Sequence, residues 1–269
     1  DNAGNVTVTD YYWRVRIDTL PPPVPSLYYP YNGMTLSDNT PRLEWENVWD
    51  ISSPVWHKVW VATDPNFENI VAESPWLSSL ENTDPTTGRM VWVVDNTIYG
   101  NYLPDNVYYW RVFVKDNAGK EQSENSETWM FRVDFTPPKT PALHTPENFD
   151  TENKNIQVTF GWENVTEEVD GTPEPLVIYL FQLAMGADWE NLRGGLVENT
   201  EVIADNTFNY TFSRYGTYFW RVRPRDNAQP TPNWGEWSAI RRITIARWVT
   251  MEGWSGAVRS RPTMWSITE

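Results

Sequence analysis

The sequence contains no cysteine, and this absence excludes a disulfide-stapled scaffold and a thiolate metal site. Basic residues are scarce, since 21 Lys and Arg stand against 36 Asp and Glu, which gives a formal net charge of −15. Such a chain has few cations to neutralise phosphates, so no nucleic acid partner is expected. The longest mostly apolar stretch, residues 175–186, is shorter than the ~20 residues of a membrane-spanning helix. No membrane span is therefore predicted in this segment.

Groups that could carry catalysis are equally few. His57 and His144 are the only histidines, neither has a partner at metal-ligand or triad spacing, and a surface or edge position is predicted for both. No glycine-rich phosphate loop occurs. Glu44 and Glu46 resemble a glycosidase carboxylate pair, but they flank Trp45 on the opposite face of a predicted strand, which favours solvated charge. The sequence therefore predicts a protein that is not an enzyme.

What the sequence has in abundance is tryptophan, 17 residues, and internal repetition. Residues 108–112, Tyr-Tyr-Trp-Arg-Val, return 110 positions later as Tyr-Phe-Trp-Arg-Val at 218–222. Asp116-Asn117-Ala118 returns as Asp226-Asn227-Ala228, again 110 positions later. Repeats of 20–50 residues would indicate a solenoid or propeller, whereas this period indicates whole domains in tandem.

Proline-rich junctions indicate the domain boundaries. Residues 18–25 resemble residues 134–141, and a proline run ends one sheet and enters the next as a stiff, extended segment. We therefore predict one domain at 20–136 and a second at 137–247. Residues 1–19 match the end of the first repeat and are predicted to be the terminal strand of a preceding or neighbouring sandwich. Residues 248–269 are predicted to open a following or neighbouring unit.

The secondary structure is predicted to be strand throughout. Residues 107–115 alternate strictly, with Tyr108, Trp110 and Val112 on one face and Tyr109, Arg111 and Phe113 on the other, which is typical of a half-buried strand. Other strands are predicted at 55–62, 89–94, 157–162, 179–184, 207–212 and 240–245. About seven strands per 110 residues indicate an all-β chain of tandem antiparallel β-sandwiches.

These motifs resemble fibronectin type III domains and the bacterial Ig-like repeats of microbial cell-surface proteins. Trp45 and Trp162 match the tryptophan of the family's second strand, and residues 108–112 and 218–222 match its Tyr-x-x-Arg-Val strand. The Asp-Asn-Ala turns and the proline junctions also recur in bacterial adhesin repeats. The resemblance implies a fibronectin type III-like fold. It does not by itself imply one function, because this fold hosts many roles.

Aspartates at the turns and junctions form a candidate calcium site. Calcium takes six to eight oxygen ligands, many of them carboxylates from loops, and some of the adhesin repeats that this chain resembles bind it at domain junctions. The alternative is that each Asp-Asn forms only an Asx turn. The candidate ligands are Asp18, Asp116, Asp134 and Asp226.

The tryptophans divide into three groups. Trp45, Trp110, Trp162 and Trp220 fall on inward positions and are predicted to be core. Residues 234–238, Trp-Gly-Glu-Trp-Ser, resemble a motif whose tryptophans stack with outward arginines in this family, and Arg221, Arg223, Trp234 and Trp237 are predicted to form such a ladder. For the first copy, we consider an exposed tryptophan platform that forms an interface or binds a carbohydrate. Its candidate residues are Trp49, Trp56, Trp60, Trp76 and Trp92.

Together these features favour a non-enzymatic extracellular structural protein of a surface layer, stalk or filament. Its partners would be further copies of itself or flanking repeats, because the end segments 1–19 and 248–269 could complete neighbouring sandwiches by strand donation. If the chain is a slice of a longer array, the flanking repeats make these contacts covalently. The alternative is an adhesin or a carbohydrate-binding spacer with polysaccharide as partner. N-glycosylation sequons at Asn5, Asn164 and Asn209 fit secretion.

Overall fold

A computed structural model describes residues 17–246, except 123, 148, 152–154, 166–167, 170–171, 174–176 and 187–194. The first half of the described chain contains nine strands. They are β1 (Leu27–Tyr29), β2 (Met34–Leu36), β3 (Arg42–Trp45), β4 (Trp56–Ala62), β5 (Ile70–Glu73), β6 (Leu77–Ser78), β7 (Met90–Val93), β8 (Asn106–Lys115) and β9 (Trp129–Val133).

The second half contains ten strands. They are β10 (Leu143–Thr145), β11 (Phe149–Thr151), β12 (Ile156–Trp162), β13 (Glu168–Val169), β14 (Thr172–Pro173), β15 (Ile178–Met185), β16 (Leu196–Ile203), β17 (Thr207–Phe212), β18 (Gly216–Arg225) and β19 (Arg241–Ile245). The described residues contain no helix, which confirms the all-β class.

The two halves repeat one sheet topology. In the first, the sheet β1-β3-β7 faces the sheet β2-β9-β8-β4-β5, in which β6 also pairs with β4. In the second, the sheet β10-β12-β17 faces the sheet β11-β19-β18-β15-β16, and β13 and β14 form a small hairpin. The chain therefore consists of tandem β-sandwiches, as predicted. Two pairs depart from the expected antiparallel order, because β2 joins β9 and β11 joins β19 in parallel.

Alternating side chains explain why these segments are strands with one buried face. Along β8, Tyr108, Trp110, Val112 and Val114 are buried between the sheets, whereas the residues between them reach the outer surface. Because β18 repeats the pattern with Tyr218, Trp220 and Val222, both sandwiches are organised around the same strand position.

The described hydrophobic core forms two clusters, and each lies inside one of the predicted domains. The first cluster lies between Leu27 and Val133 and the second between Leu143 and Ile245. The core positions predicted for tryptophan are confirmed, because Trp45, Trp110, Trp162 and Trp220 are each 0% exposed. Large aromatics bury 150–250 Å² each, so these residues hold the two sheets together without disulfides.

A backbone joint connects the two sandwiches, formed by β2 of the first and the loop after β18 of the second. The amide of Ser37 donates to the carbonyl of Gln229 at 2.7 Å, and the amide of Gln229 donates to the carbonyl of Thr35 at 3.0 Å. The amide of Thr231 also donates to Oγ of Ser37 at 3.2 Å. The joint therefore extends the first sandwich's sheet edge with a short parallel bridge.

The proline linker between the sandwiches is packed against the second one. A Cβ added at Gly235 would lie 2.4 Å from the carbonyl oxygen of Pro138, so only glycine allows this close approach. Nδ2 of Asn233 donates to the carbonyl of Asp134, the residue that follows β9, at 2.9 Å. The linker thus lies against the second sandwich both before its proline pair and at the second proline.

Candidate functional site

At one end of the first sandwich, which we call its head, the loops bring three carboxylates together. One carboxylate oxygen from each of Asp18, Asp50 and Asp116 lies within 4.8 Å of the others. Asp18 lies in the segment before β1, Asp50 in the loop between β3 and β4, and Asp116 directly after β8. Asp18 and Asp116 were predicted as ligands, whereas Asp50 was missed. Its only signal in the sequence is the short Asp-Ile-Ser turn, in which Asp50 Oδ1 accepts from the amide of Ser52 at 2.8 Å.

The electrostatics of this head follow from burial and hydrogen bonding. Asp50 is 8% exposed, and burial together with the charges of Asp18 and Asp116 raises its pKa. The hydroxyl of Ser52 donates to Oδ2 of Asp18, and this bond is the main reason that the pKa of Asp18 is lowered. Asp116 is 1% exposed, its Oδ1 accepts from the amide of Lys120 at 2.7 Å, and its Oδ2 accepts no hydrogen bond among the described residues.

The head of the second sandwich holds the other predicted pair, Asp134 and Asp226, both 0% exposed. Here the side-chain amide of Asn233 contacts the carboxylate of Asp226. Nδ2 of Asn233 donates to Oδ2 of Asp226 at 2.6 Å, and Oδ1 of Asp226 accepts from the amides of Asn233 and Ala228 at 2.8 and 3.0 Å. Burial, with the nearby charge of Asp226, raises the pKa of Asp134 to about 6.

The four aspartates predicted as calcium ligands therefore do not form one set. They lie as equivalent pairs, Asp18 with Asp116 and Asp134 with Asp226, at the heads of successive sandwiches. The first pair lies beside a third carboxylate, that of Asp50. In each pair one buried oxygen accepts no hydrogen bond among the described residues, Oδ2 of Asp116 in the first and Oδ2 of Asp134 in the second. In the second pair, both oxygens of Asp226 already accept hydrogen bonds from the protein. Among the described residues, the first head is thus the one that brings three carboxylates together.

The predicted ladder residues lie against one another on the outer face of β18. The guanidinium of Arg221 lies 3.9 Å from the ring centroid of Trp237, and that of Arg223 lies 4.1 Å from Trp234 and 4.8 Å from Trp237. Arg225 extends the row, 5.7 Å from Trp234. Stacking of this kind contributes about 0.5–2 kcal/mol per contact.

Replacing Trp237 by alanine is expected to lower the free energy of unfolding of the second sandwich by about 1–2 kcal/mol, since two guanidinium contacts are lost. Urea unfolding followed by circular dichroism measures the change. Trp237→Phe is the matched control, because it keeps an aromatic face under Arg221 and should lose less than half as much. Equal losses in the two variants would show that the stacking contributes nothing.

The first sandwich has a different cationic and aromatic surface on the equivalent face. Arg111 lies 3.9 Å from the ring of Phe67, 5.1 Å from that of Phe113 and 5.4 Å from that of Trp60. Lys115 lies 3.9 Å from the ring of Trp76. Trp60 and Trp76, both candidates for a carbohydrate platform, line one groove of about 240 Å³. Cations of the protein thus lie against the aromatic rings of this groove.

The remaining platform candidates lie apart from this groove. Trp49 is 76% exposed, and Nε1 of Trp56 donates to Oδ1 of Asn117 at 3.3 Å. Trp92 is 9% exposed and belongs to the first core cluster. Its candidacy for an exposed platform is corrected here, because alternation along β7 turns Met90 and Trp92 inward.

His57 is also corrected, because it is 0% exposed rather than at the surface or at an edge. It points inward from β4, a strand flanked by β8 and β5. Its Nδ1 accepts a hydrogen bond from Nε1 of Trp45 at 2.9 Å, so its own proton lies on Nε2. Burial lowers the pKa of His57 to about 3. His144, in contrast, is exposed as expected.

Two of the three glycosylation sequons begin at an exposed asparagine. Asn164 follows β12, and Asn209 lies on β17, where its Oδ1 accepts from Oγ1 of Thr159 at 2.6 Å. Asn5 lies outside the described residues, as do residues 1–16 of the predicted leading strand and all of 248–269. Glycan attachment at these sites stays a prediction.

No protein-family model matches the chain. No curated protein matches it either. Among solved structures, the chain is similar to the fibronectin(III)-like modules of Clostridium thermocellum CbhA, at 12% identity and a TM-score of 0.39, over 87% of this chain and 100% of that one. Among the described residues, no helix has the length and apolar character needed to cross a membrane.

Proposed function

We propose that this chain is a non-enzymatic extracellular structural protein, in which tandem sandwiches form a stiff segment of a surface layer, stalk or filament. The observation that carries the proposal is the backbone joint between the sandwiches. A flexible connection would leave the edge of β2 in solvent, whereas here Thr35 and Ser37 bond to the backbone of Gln229. Inter-domain motion is the default for a small polar interface, so a joint of this kind favours a spacer role.

The loop that forms the joint is longer than the corresponding loop of the first sandwich. In the first sandwich the corresponding loop is closed by a bond from the amide of Asp116 to the carbonyl of Lys120. In the second sandwich the closing bond runs from the amide of Asp226 to the carbonyl of Asn233, so this loop is three residues longer. The additional length includes Gln229 and Thr231, the residues that contact the first sandwich. This difference supports a loop adapted to hold the neighbouring unit.

The geometry at Asp18 supports continuation of the array before the first sandwich. Asp134 follows the last strand of the first sandwich and lies at the head of the second. Asp18 lies at the head of the first sandwich in the same way, after a segment whose sequence matches β9. We therefore propose that residues 1–19 supply the last strand of a preceding sandwich, either from the same polypeptide or by strand donation between copies. Residues 248–269 would open the next unit in the same manner.

The surface around Trp60 and Trp76 favours a structural role over the role of an adhesin or a carbohydrate-binding module. Sugar binding by an aromatic platform needs a ring face that is open to the ligand. Lys115 and Lys58 lie 3.9 and 5.7 Å from the ring of Trp76, so this face already has cationic partners. These contacts favour a structural role for the aromatic surface.

Shortening the joint loop tests the spacer role. Residues 227–232 are replaced by Asn-Ala-Gly, the loop that the first sandwich uses between Asp116 and Lys120. This change removes the bonds to Thr35 and Ser37, so we expect a wider distribution of distances between fluorophores placed on the two sandwiches. Single-molecule energy transfer measures that distribution.

Gln229→Ala is the matched control, because it keeps the backbone amide and carbonyl that form the joint. Its distance distribution should coincide with that of the wild type. An unchanged distribution in the shortened variant would contradict the proposal that this joint makes the segment stiff.

A further inference from the structure

The larger sheet of the second sandwich ends on a long strand that is paired along one side. β16 is 8 residues long, and among the described residues it pairs with β15 and with no other strand. The free side of an edge strand presents a row of backbone N–H and C=O groups, which is a template for another strand. Proteins protect such edges by shortening them, by covering them, or with Lys and Pro. β16 is long and contains neither Lys nor Pro.

The first sandwich covers the corresponding edge. There β5 has only 4 residues, and the loop after β7, residues 94–105, lies along it. The amide of Ile98 in this loop donates to the carbonyl of Val71 at 2.8 Å. In the second sandwich the equivalent connection, between β17 and β18, comprises residues 213–215. Three residues span at most about 11 Å, which they need to cross between sheets that pack about 10 Å apart, so they cannot also cover β16.

The backbone of β16 directs two central residues outward. The amide of Met185 on β15 donates to the carbonyl of Gly195 at 2.7 Å, so Met185 bonds toward β16. Along an antiparallel strand, every second residue bonds to the same neighbour. With the register of β15 and β16, this alternation directs the N–H and C=O of Asn199 and Glu201 away from β15. The amide of Asn199 donates instead to Oε1 of Glu198, its neighbour in sequence, at 3.1 Å.

The side chains of β16 are complementary to a second β16 that runs antiparallel to it. A pair centred on Thr200 places Val197 opposite Ile203, so two side chains that are 40% and 60% exposed cover each other. It also places the side-chain amide of Asn199 opposite the carboxylate of Glu201, as a donor opposite an acceptor. In this register no carboxylate of the strand lies opposite another carboxylate. The strand therefore fits a copy of itself in both shape and charge.

We propose that β16 pairs with β16 of a second copy of this chain, antiparallel and centred on Thr200. The two five-stranded sheets then form one continuous sheet, and the outward N–H and C=O groups of Asn199 bond to those of Glu201 in the second copy. The contact lies at the side of the sandwich, whereas the proposed array continues through its ends. This inference goes beyond the proposed function and does not depend on it, because association can be measured whatever the role of the chain.

The charge of the chain sets the conditions of the experiment. Two chains of net charge −15 repel one another, so the measurement is made at about 0.15 M salt, where charges are screened beyond about 8 Å. On the strand itself, Nε and Nη2 of Arg225 lie 3.0 and 3.1 Å from the carboxylate oxygens of Glu201. This ion pair offsets one of the two acidic charges that each strand brings to the contact.

Sedimentation velocity of the full-length chain, from about 10 μM to 1 mM, tests the proposal. Pairing through one edge strand is a small interface, so we expect association at the weak end of protein–protein affinities. The sedimentation coefficient should rise with concentration from that of a monomer toward that of a dimer. A chain that stays monomeric at 1 mM would overturn the proposal and leave the edge to a strand of a different protein.

Two substitutions at one position separate backbone pairing from side-chain contact. Asn199→Pro removes an outward N–H and no bond to β15, so it should weaken association at least tenfold. Asn199→Ala is the matched control, because it loses the same side chain but keeps the N–H, and it should weaken association less than about fivefold. Association that Asn199→Pro leaves intact, or that both variants weaken equally, would show that the copies do not pair through this edge.

Cysteine cross-linking tests the register and remains decisive if circular dichroism shows that the proline variant is misfolded. The chain has no cysteine of its own. At the centre of the pair the two copies of Thr200 face each other at a non-hydrogen-bonded position, with Cα atoms about 4.5 Å apart, which is within disulfide range. Thr200→Cys should therefore give a covalent dimer on a non-reducing gel after mild oxidation.

Glu198→Cys is the control for the cross-link. In the proposed register its two copies lie four residues apart along the strands, about 14 Å, so this variant should remain monomeric on the same gel. A covalent dimer of Glu198→Cys, or none of Thr200→Cys, would overturn the proposed pairing.

Discussion

Replacing Trp220 by alanine is expected to lower the free energy of unfolding of the second sandwich by about 3–5 kcal/mol. Trp220 is 0% exposed and lies on β18, the strand between β15 and β19. Its ring centroid is 5.0 Å from that of Phe160 and 6.0 Å from that of Phe181, so truncation leaves a cavity among aromatic rings that cannot collapse easily. Urea unfolding of the full chain, followed by circular dichroism, measures the loss.

Two comparisons make this experiment specific. Trp110→Ala removes the equivalent residue of β8 and should destabilise the first sandwich by a similar amount. Trp49→Ala removes a side chain that is 76% exposed and should change stability by less than about 0.5 kcal/mol. If Trp49→Ala were as damaging as Trp220→Ala, the assignment of the repeated tryptophans to the core would have to be abandoned.

Acid is expected to destabilise the first sandwich through His57. The pKa of His57 is lowered to about 3 in the folded chain, whereas an unfolded histidine titrates near 6.5. Below pH 6.5 the unfolded chain therefore binds a proton that the folded chain refuses. The stability present above pH 6.5 is lost as the pH falls toward 3, by as much as about 5 kcal/mol.

Urea unfolding at a series of pH values measures this slope, and His57→Asn is the informative variant. Asparagine offers an oxygen near the position of Nδ1, which can still accept from Nε1 of Trp45, but it does not titrate. The variant should therefore lose less stability than the wild type between pH 6.5 and 4. Identical slopes would show that His57 does not control the acid response.

Asp134 responds to pH with the opposite sign, so the same series of measurements distinguishes its effect from that of His57. Its pKa is raised to about 6 in the folded chain, above the unfolded value of 3.8. The stability that it contributes is fully present below pH 3.8 and is lost as the pH rises through 6. Asp134→Asn should remove this dependence and leave the acid response of His57 unchanged.

The sequence allowed most core strands to be predicted, because one buried face gives a period of two. Residues 207–212 were predicted as a strand and are β17, and the predicted strand at 107–115 is β8 apart from one residue at its start. Short edge strands such as β2 and β11 were missed, since three residues are too few for an alternating pattern. Each of them pairs in parallel with a strand near the other end of the domain's sequence. A local sequence pattern contains no information about such a distant partner.

Local sequence patterns also identified only some of the residues at the candidate sites. The repeated aspartates could be found because each follows a recognisable motif, and the arginines of β18 could be matched to Trp234 and Trp237 by strand parity. Asp50 comes from a loop that the two copies do not share, so no repeat pointed to it. His57 was misjudged because its polarity was weighed above its position: on β4 it alternates with Lys58 and shares the inward face with Val59.

The parallel pairing of β2 with β9, and of β11 with β19, has a mechanical consequence. In each sandwich these two strands lie near opposite ends of the unit's sequence, yet they run side by side in the same direction. Tension applied along the polypeptide therefore slides one strand past the other, and it loads the hydrogen bonds of the pair together. An antiparallel hairpin pulled from its open end would instead open one bond at a time. Each sandwich thus carries, at its two ends, a strand arrangement that resists stretching by shear.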